Sequence, residues 1–298
     1  MPRFFGVGRG PIPAYAAAPS YWPDGPAPAP SEPIGHISLP QREGGTLGYW
    51  EAASGIANDE GVMIAESTCS AIFGAELVPK GEALLDYMEL TRIALERCST
   101  AHGAVRLMGD LAVKHGFAGN DADLMGAAES LAVVDVREAW VMHVLPDDTG
   151  RSAVWAAQRL SHGHAAVVPN VFIIREMVTD GSDDSFLLSP NAVDVAKRNG
   201  LWRPGEAFDF AALFSNGEPG QRYYCGRRAW RALSLFAPSL RLPCEYTDLI
   251  KERPYPFSVM PDAALGARDL MAIMRDTFEV RNGILMNPSC ILWLAHTD

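Results

Sequence analysis

Three features of this 298-residue sequence predict a layered α+β fold. Two amphipathic helical stretches adjoin over residues 80–116, five short apolar strands follow over 130–176, and further helical stretches come after them. Strands grouped together with helices grouped beside them put a helical layer on a sheet, whereas strict alternation would give parallel strands joined by crossover helices. An apolar fraction of 48% supplies a packed core, and the length suits one large domain or two small ones. No internal repeat is present.

The elements follow in order. Residues 10–33, GPIPAYAAAPSYWPDGPAPAPSEP, are crowded with Pro and Ala. Proline fixes φ and lacks an N–H, so this stretch predicts extended or irregular chain, and residues 1–34 are set apart as a covering arm or linker. The core begins near Gly35 with the short strands GHISLP and LGYWEA. Residues 55–66 read as a hairpin around the turn Asn58-Asp59-Glu60-Gly61. Lys80 to Cys98 predicts a helix with Leu84, Met88, Thr91 and Leu95 on one stripe. Ser99 can cap a second helix, whose Ala101, Ala104, Val105, Met108, Leu111 and Ala112 recur at helical spacing until Gly116. Strands are predicted at 130–135, 138–145, 152–160, 164–170 and 171–176, with PDDTG and SHG as turns. Helices are predicted at 192–199, 227–236 and 266–277.

Charge narrows the partners. A formal net charge of −11 and a pI near 5.1 argue against nucleic acid and anionic membrane surfaces. No apolar run reaches the ~18 residues of a membrane span, and MPRFFGVGRGPIPAY lacks the long apolar stretch of a signal peptide. The five cysteines, an odd number without C-x-x-C spacing, read as reduced thiols in a cytosol-like compartment.

Most motif-like stretches have a plain explanation. Gly6-Val7-Gly8-Arg9-Gly10-Pro11 has no preceding strand and ends in proline, so it cannot cradle a phosphate as G-x-G-x-x-G does. Asp148-Thr149-Gly150 has the form of an aspartic-protease triplet, but that chemistry needs a second carboxylate, and a hairpin turn explains PDDTG better. His162-Gly163-His164 offers two ligands, too few for a metal site. His102 and His115 suit helix ends, and His143 suits a satisfied core position. Trp140, Trp155, Trp202 and Trp230 read as core anchors. Arg222, Arg227, Arg228 and Arg231 cluster at a helix start, either as a solvated face or as a carboxylate-binding patch. Asn170 lies between two apolar runs in VVPNVFIIRE, where its amide is a turn residue or a donor aimed into a cleft. Asn58 raises the same question from the earlier hairpin. Cys69, in GIANDEGVMIAESTCSA, stands at a strand end.

Several of these stretches resemble one family in consistent order: GIANDEGVMIAESTCSA, ALLDYMELTRIALERC, REAWVMHVLPDDTGRSAVWAAQRL, AAVVPNVFIIRE, VDVAKRNGLW, RRAWRALSLFAPSL and PYPFSVMPDAALGARDLMAIMRD. Over roughly residues 36–277 the chain resembles the C69 dipeptidases, cysteine peptidases to which the secernins also belong. The resemblance implies an N-terminal-nucleophile hydrolase with a four-layer αββα sandwich, incomplete in this chain. In such enzymes the thiolate of the first residue of the mature chain attacks an amide carbonyl, and its own α-amine or a nearby water serves as base. An α-amine titrates near pKa ~8, which suits that task. The implied substrates are dipeptides or small amides with a free amino end, and no cofactor or metal is needed.

By the resemblance, Asn170 would stabilise the tetrahedral intermediate, and Asn58 would be a second oxyanion or substrate-positioning group. Glu66, Arg175 and Glu176 would line the substrate cleft. Cys69 lies on an internal strand and has no free α-amine, so it is a structural or cleft-lining residue and only a minor candidate for the nucleophile. The family's cysteine would lie in an earlier strand, and no cysteine precedes position 69. Residues 278–298 also depart from the family. The expectation is therefore a partial catalytic domain over 35–277, truncated at both ends, that binds without turnover. A dipeptidase and a non-catalytic secernin-like interaction protein are the two readings, with an aspartic-type protease as a third. Cytoplasmic localisation is expected, and homo-oligomerisation stays open.

Overall fold

Burial on both faces explains why the central strands of this protein are so apolar. The computed structural model describes residues 12–14, 33–52, 54–119, 126–217, 224–244, 255–276 and 292–295. The glycine-rich stretch at 6–11, most of the Pro/Ala-rich segment, Arg222 and Cys290 lie outside them. The strands are β1 (Ile12–Ala14), β2 (Gly35–Ile37), β3 (Tyr49–Glu51), β4 (Gly55–Asn58), β5 (Met63–Cys69), β6 (Ala128–Val134), β7 (Ala139–Pro146), β8 (Ala153–Arg159), β9 (Ala165–Val168), β10 (Phe186–Leu188), β11 (Ser258–Val259) and β12 (Leu292–Ala295). The helices are α1 (Tyr87–Arg97), α2 (Ala101–His115), α3 (Ala192–Arg198), α4 (Phe210–Phe214), α5 (Tyr224–Phe236) and α6 (Ala267–Met274).

Seven strands form one antiparallel sheet in the order β10-β8-β7-β6-β5-β4-β3, and three form a second in the order β11-β9-β12. Side chains alternate across the large sheet. One face presents Ile64, Leu131, Val133, Trp140, Met142, Val144 and Trp155 to α1 and α2. The other presents Cys69, Ala132, Val141, Leu145, Val154 and Ala156 to Ala166 and Val168 of β9 and to Phe172, Ile174, Phe210 and Phe214. The far side of β9, Ala165 and Val167, packs on Ala232, Leu233, Phe236 and Ile273 of α5 and α6. Helices, large sheet, small sheet and helices thus succeed one another across the α+β fold. Sandwiched β7 is buried along its whole length, which produces the unbroken run AWVMHVLP.

Helix ends follow local chemistry. The first helix starts at Tyr87, later than the predicted Lys80, because the Asp86 carboxylate caps it by accepting from Glu89 N at 2.9 Å. Residues 80–85 are spent elsewhere: Leu84 N donates to His115 O, and Leu85 O accepts from Ala118 N. Thr100, one residue past the predicted Ser99, caps α2 by accepting from Gly103 N. Gly109 lets α2 lie on the Trp155 ring, since a Cβ there would fall 2.2 Å from it.

The predicted strand 171–176 does not form. Ile173 and Ile174 donate their N–H groups to the His143 ring, and the carbonyls of Ile174 and Arg175 accept from Ala211 and Phe210. With its backbone groups engaged this way, the segment has no ladder to join. Two strands arise where irregular or divergent chain is expected: Ile12–Ala14 pairs with Gly35–Ile37, and Leu292–Ala295 pairs with β9, both antiparallel.

Candidate functional site

The chain leaves β9 at Val168 and turns sharply at Pro169-Asn170. Asn170 takes φ 61°, one of two positive-φ non-glycine residues among those described. Asparagine tolerates this left-handed conformation better than most residues. Four contacts hold it. Its N–H donates to Ser67 Oγ at 3.1 Å, and its Nδ2 donates to Thr68 O at 2.8 Å, both on β5. Its Oδ1 accepts from Arg228 Nη1 at 2.9 Å, and its carbonyl accepts from Cys225 Sγ at 3.5 Å. The amide is thereby oriented with oxygen toward Arg228 and nitrogen toward β5. One Nδ2 hydrogen is left uncommitted among the described residues, which is what an oxyanion donor requires.

Arg228 is fully buried. Its Nη2 donates to Pro169 O at 3.0 Å, its Nε donates to Tyr224 O at 2.9 Å, and its guanidinium stacks 3.8 Å over the Tyr224 ring. These contacts fix the guanidinium plane against Asn170 and Pro169. Of the clustered arginines that are described, Arg228 contacts Asn170, and Arg231 pairs with Asp276 at 2.7 Å. Sequence reasoning leaves Arg228 undistinguished, though one signal is present. It lies four residues before Ala232 and one turn past Cys225, on the buried stripe of α5. Ser67, which fastens both Asn170 N–H and Val168 O, is likewise unmarked in the sequence.

Cys69 ends a hydrogen-bonded chain beneath this site. His143 Nε2 accepts from Ile173 N at 2.9 Å and Ile174 N at 3.1 Å, so the neutral ring carries its proton on Nδ1. Nδ1 therefore donates to Ser130 Oγ at 2.6 Å, Ser130 donates to Cys69 Sγ at 3.1 Å, and the thiol donates to Ser67 O at 3.3 Å. This polarity is opposite to that of a catalytic Cys-His pair, in which the imidazole takes the thiol's proton. Burial strengthens it: the His143 pKa is lowered to about 3, and burial pushes the Cys69 thiol well up. His143 also stacks on Phe172 with ring centroids 4.5 Å apart.

The other candidates do not join Asn170. Asn58 is buried on the helix side of the sheet, where its Nδ2 donates to Leu95 O and Cys98 O and its Oδ1 accepts from Glu60 N and Val62 N. Glu66 faces the helix layer and accepts from Thr68 Oγ1 at 2.8 Å. Arg175 pairs with Asp209 at 2.9 Å, and exposed Glu176 bridges Asp209 through its backbone. The triplet Asp148-Thr149-Gly150 is a hairpin turn: Asp147 Oδ1 accepts from Thr149 N, and Gly150 takes φ 69°. Hydrogen bonds from Arg198 lower the Asp148 pKa to about 2, so it shares no proton with another acid. A cavity of about 830 Å³ lies at the opposite end of the large sheet, lined in part by His102, Arg137, Trp140, Arg159 and Asp184. Among the described residues no cluster of three or more His, Cys, Asp or Glu could hold a metal ion, and no helix is long and apolar enough to cross a membrane.

Comparison with known proteins bears on this geometry. The sequence pattern of peptidase family C69 matches residues 23–283. A protein named probable dipeptidase from Latilactobacillus sakei is 21% identical over 258 residues, which is 84% of this chain and 49% of that protein. The chain spans about half the length of this curated relative.

Proposed function

Since the chain belongs to peptidase family C69, we propose that it binds dipeptides or small amides at the Asn170 turn, as the core of a cysteine-type dipeptidase. The proposed framework is the αββα sandwich of N-terminal-nucleophile hydrolases. Two packed sheets between helical layers support it, as does the dipeptidase name of the relative. The observation that carries the reading is the oriented amide of Asn170, held by Arg228 and β5 with one N–H to spare. Aimed at a scissile carbonyl, that N–H stabilises the oxyanion, and Arg228 acts through Asn170 as a positioning residue. The attacking thiol is not Cys69, whose S–H is a donor at the end of a closed chain. Cys98 is no better, because burial raises its pKa to about 11. A second reading, peptide binding without hydrolysis, draws support from the Cys69 and Cys98 thiols, both raised by burial.

Calorimetric titration with unblocked dipeptides, run beside a hydrolysis assay, tests both readings. Dipeptide binding is expected, weakened about tenfold or more by Asn170→Ala, the loss of one to two good hydrogen bonds. Cys69→Ala is expected to leave binding intact. Binding by Asn170→Ala equal to the wild type would refute the site. Hydrolysis abolished by Cys69→Ala would move the chemistry to that thiol.

A further inference from the structure

We propose that Glu129 and Glu66 hold one proton between them, and that this proton fastens the β5–β6 end on which Asn170 rests. Glu129 is completely buried, and neither carboxyl oxygen meets a hydrogen-bond partner. It shares the helix-facing side of β6 with Leu131 and Val133. Its cross-strand neighbours are Thr68 on β5 and Val144 on β7. Glu66 lies two residues before Thr68 on the same face, and its carboxyl and the Thr68 hydroxyl are within reach of Glu129. An ionised carboxylate with at most the Thr68 hydroxyl to donate to it is strongly disfavoured in such a place, while a neutral acid can direct its O–H to a neighbouring carboxylate.

Among the described residues the charges that act on Glu129 are carboxylates. At the N-cap of α1 stands Asp86, also buried, whose charge acts on Glu129 and whose own carboxyl is raised to about 6 chiefly by its burial. Behind it Arg92 is engaged by Glu51 at 2.8 Å and Glu89 at 3.0 Å. Val144 on β7 is apolar, and the Cys69 thiol faces the opposite side of the sheet. Burial first, then the Glu66 charge, push the Glu129 carboxyl well above its ordinary 4.5.

The folded chain therefore keeps a proton that the unfolded chain releases above pH ~4.5, so stability is fullest below that pH and falls as pH rises toward the folded pKa. When the proton leaves, Glu66, Glu129 and Asp86 repel one another, and the ends of β5 and β6 must part to admit water. Thr68 O and Ser67 Oγ, which hold Asn170, lie on that end of β5. Consequences for peptide binding rest on the reading of Asn170 given above; the shared proton does not.

Infrared spectroscopy and urea unfolding between pH 5 and 9 test the proposal on the wild type, Glu129→Gln and Glu66→Gln. At pH 7 the wild type is expected to show a protonated-carboxyl band that Glu129→Gln loses. Its stability is expected to fall with pH with a slope near one proton, flattened in Glu129→Gln. In Glu66→Gln the fall should end at lower pH, because the like charge that raises the Glu129 pKa is gone, and this variant carries the test should Glu129→Gln not fold. A wild type without the band, or pH slopes identical in every variant that folds, would overturn the proposal. Dipeptide binding insensitive to Glu129 while the band and slope behave as expected would sever only the link to Asn170.

Discussion

Asn58 and Asn170 are the two asparagines that the sequence singles out, and the structure gives them opposite accounts. Asn58 spends its entire hydrogen-bonding capacity, with two donors on the carbonyls of Leu95 and Cys98 and one acceptor oxygen receiving Glu60 N and Val62 N. It ties the β4–β5 turn to the last turn of α1, where helix carbonyls lack partners of their own. Asn170 spends only half, on Thr68 O and Arg228 Nη1, in a backbone conformation that side chains rarely adopt. A fully used amide holds structure together. A half-used amide, locked from two sides, is ready to bind something else.

The sharpest way to break this contrast is Asn58→Ala. It strands two carbonyls and two amides at once, two of them in buried contacts, and is expected to cost about 3–5 kcal/mol of folding stability. Chemical denaturation measures the loss, and the fraction still folded should bind dipeptides as the wild type does. A mild loss of stability with lost binding would make Asn58 a site residue after all.

The contrast also shows what a sequence can reveal. The helical spacing of Ala101 to Ala112 and the apolar runs of β6, β7 and β8 were legible because burial dictates residue type over many positions. VFIIRE fails as a strand for a reason no local pattern carries: His143, some thirty residues earlier, takes the N–H groups of Ile173 and Ile174. Asn170 was legible as an anomaly, a polar residue after proline between apolar runs. Its partners were not. Arg228 stands in a run of arginines, and the packing of α5 on β9 is what turns it inward. Glu66 shares a strand with Ser67 yet points to the other layer, an alternation visible only once the faces of β5 are assigned.

Arg228→Lys probes how Asn170 is locked. A single ammonium cannot reproduce the guanidinium's donation to Asn170 Oδ1, Pro169 O and Tyr224 O. The expected cost is about 2–3 kcal/mol of stability. Because the amide is then free to turn, dipeptide affinity should fall in the same variant by about tenfold. Affinity retained at reduced stability would leave β5 as the sole anchor of the Asn170 amide and reduce Arg228 to a packing element.

The smallest expected effect separates strain from function at Asn170 itself. Replacing it with glycine or alanine removes the same side-chain contacts, but glycine accepts φ 61° and alanine does not. Asn170→Gly should therefore be more stable than Asn170→Ala by about 1 kcal/mol, while both lose dipeptide binding alike. Denaturant midpoints and one titration per variant decide it. Equal stabilities would mean that the turn relaxes once the side chain is gone, so that Arg228 and β5 impose the left-handed backbone through the amide. A stability gap with equal loss of binding would mean that the backbone is set by the path of the chain from β9 to His143, and that asparagine stands there for its spare N–H.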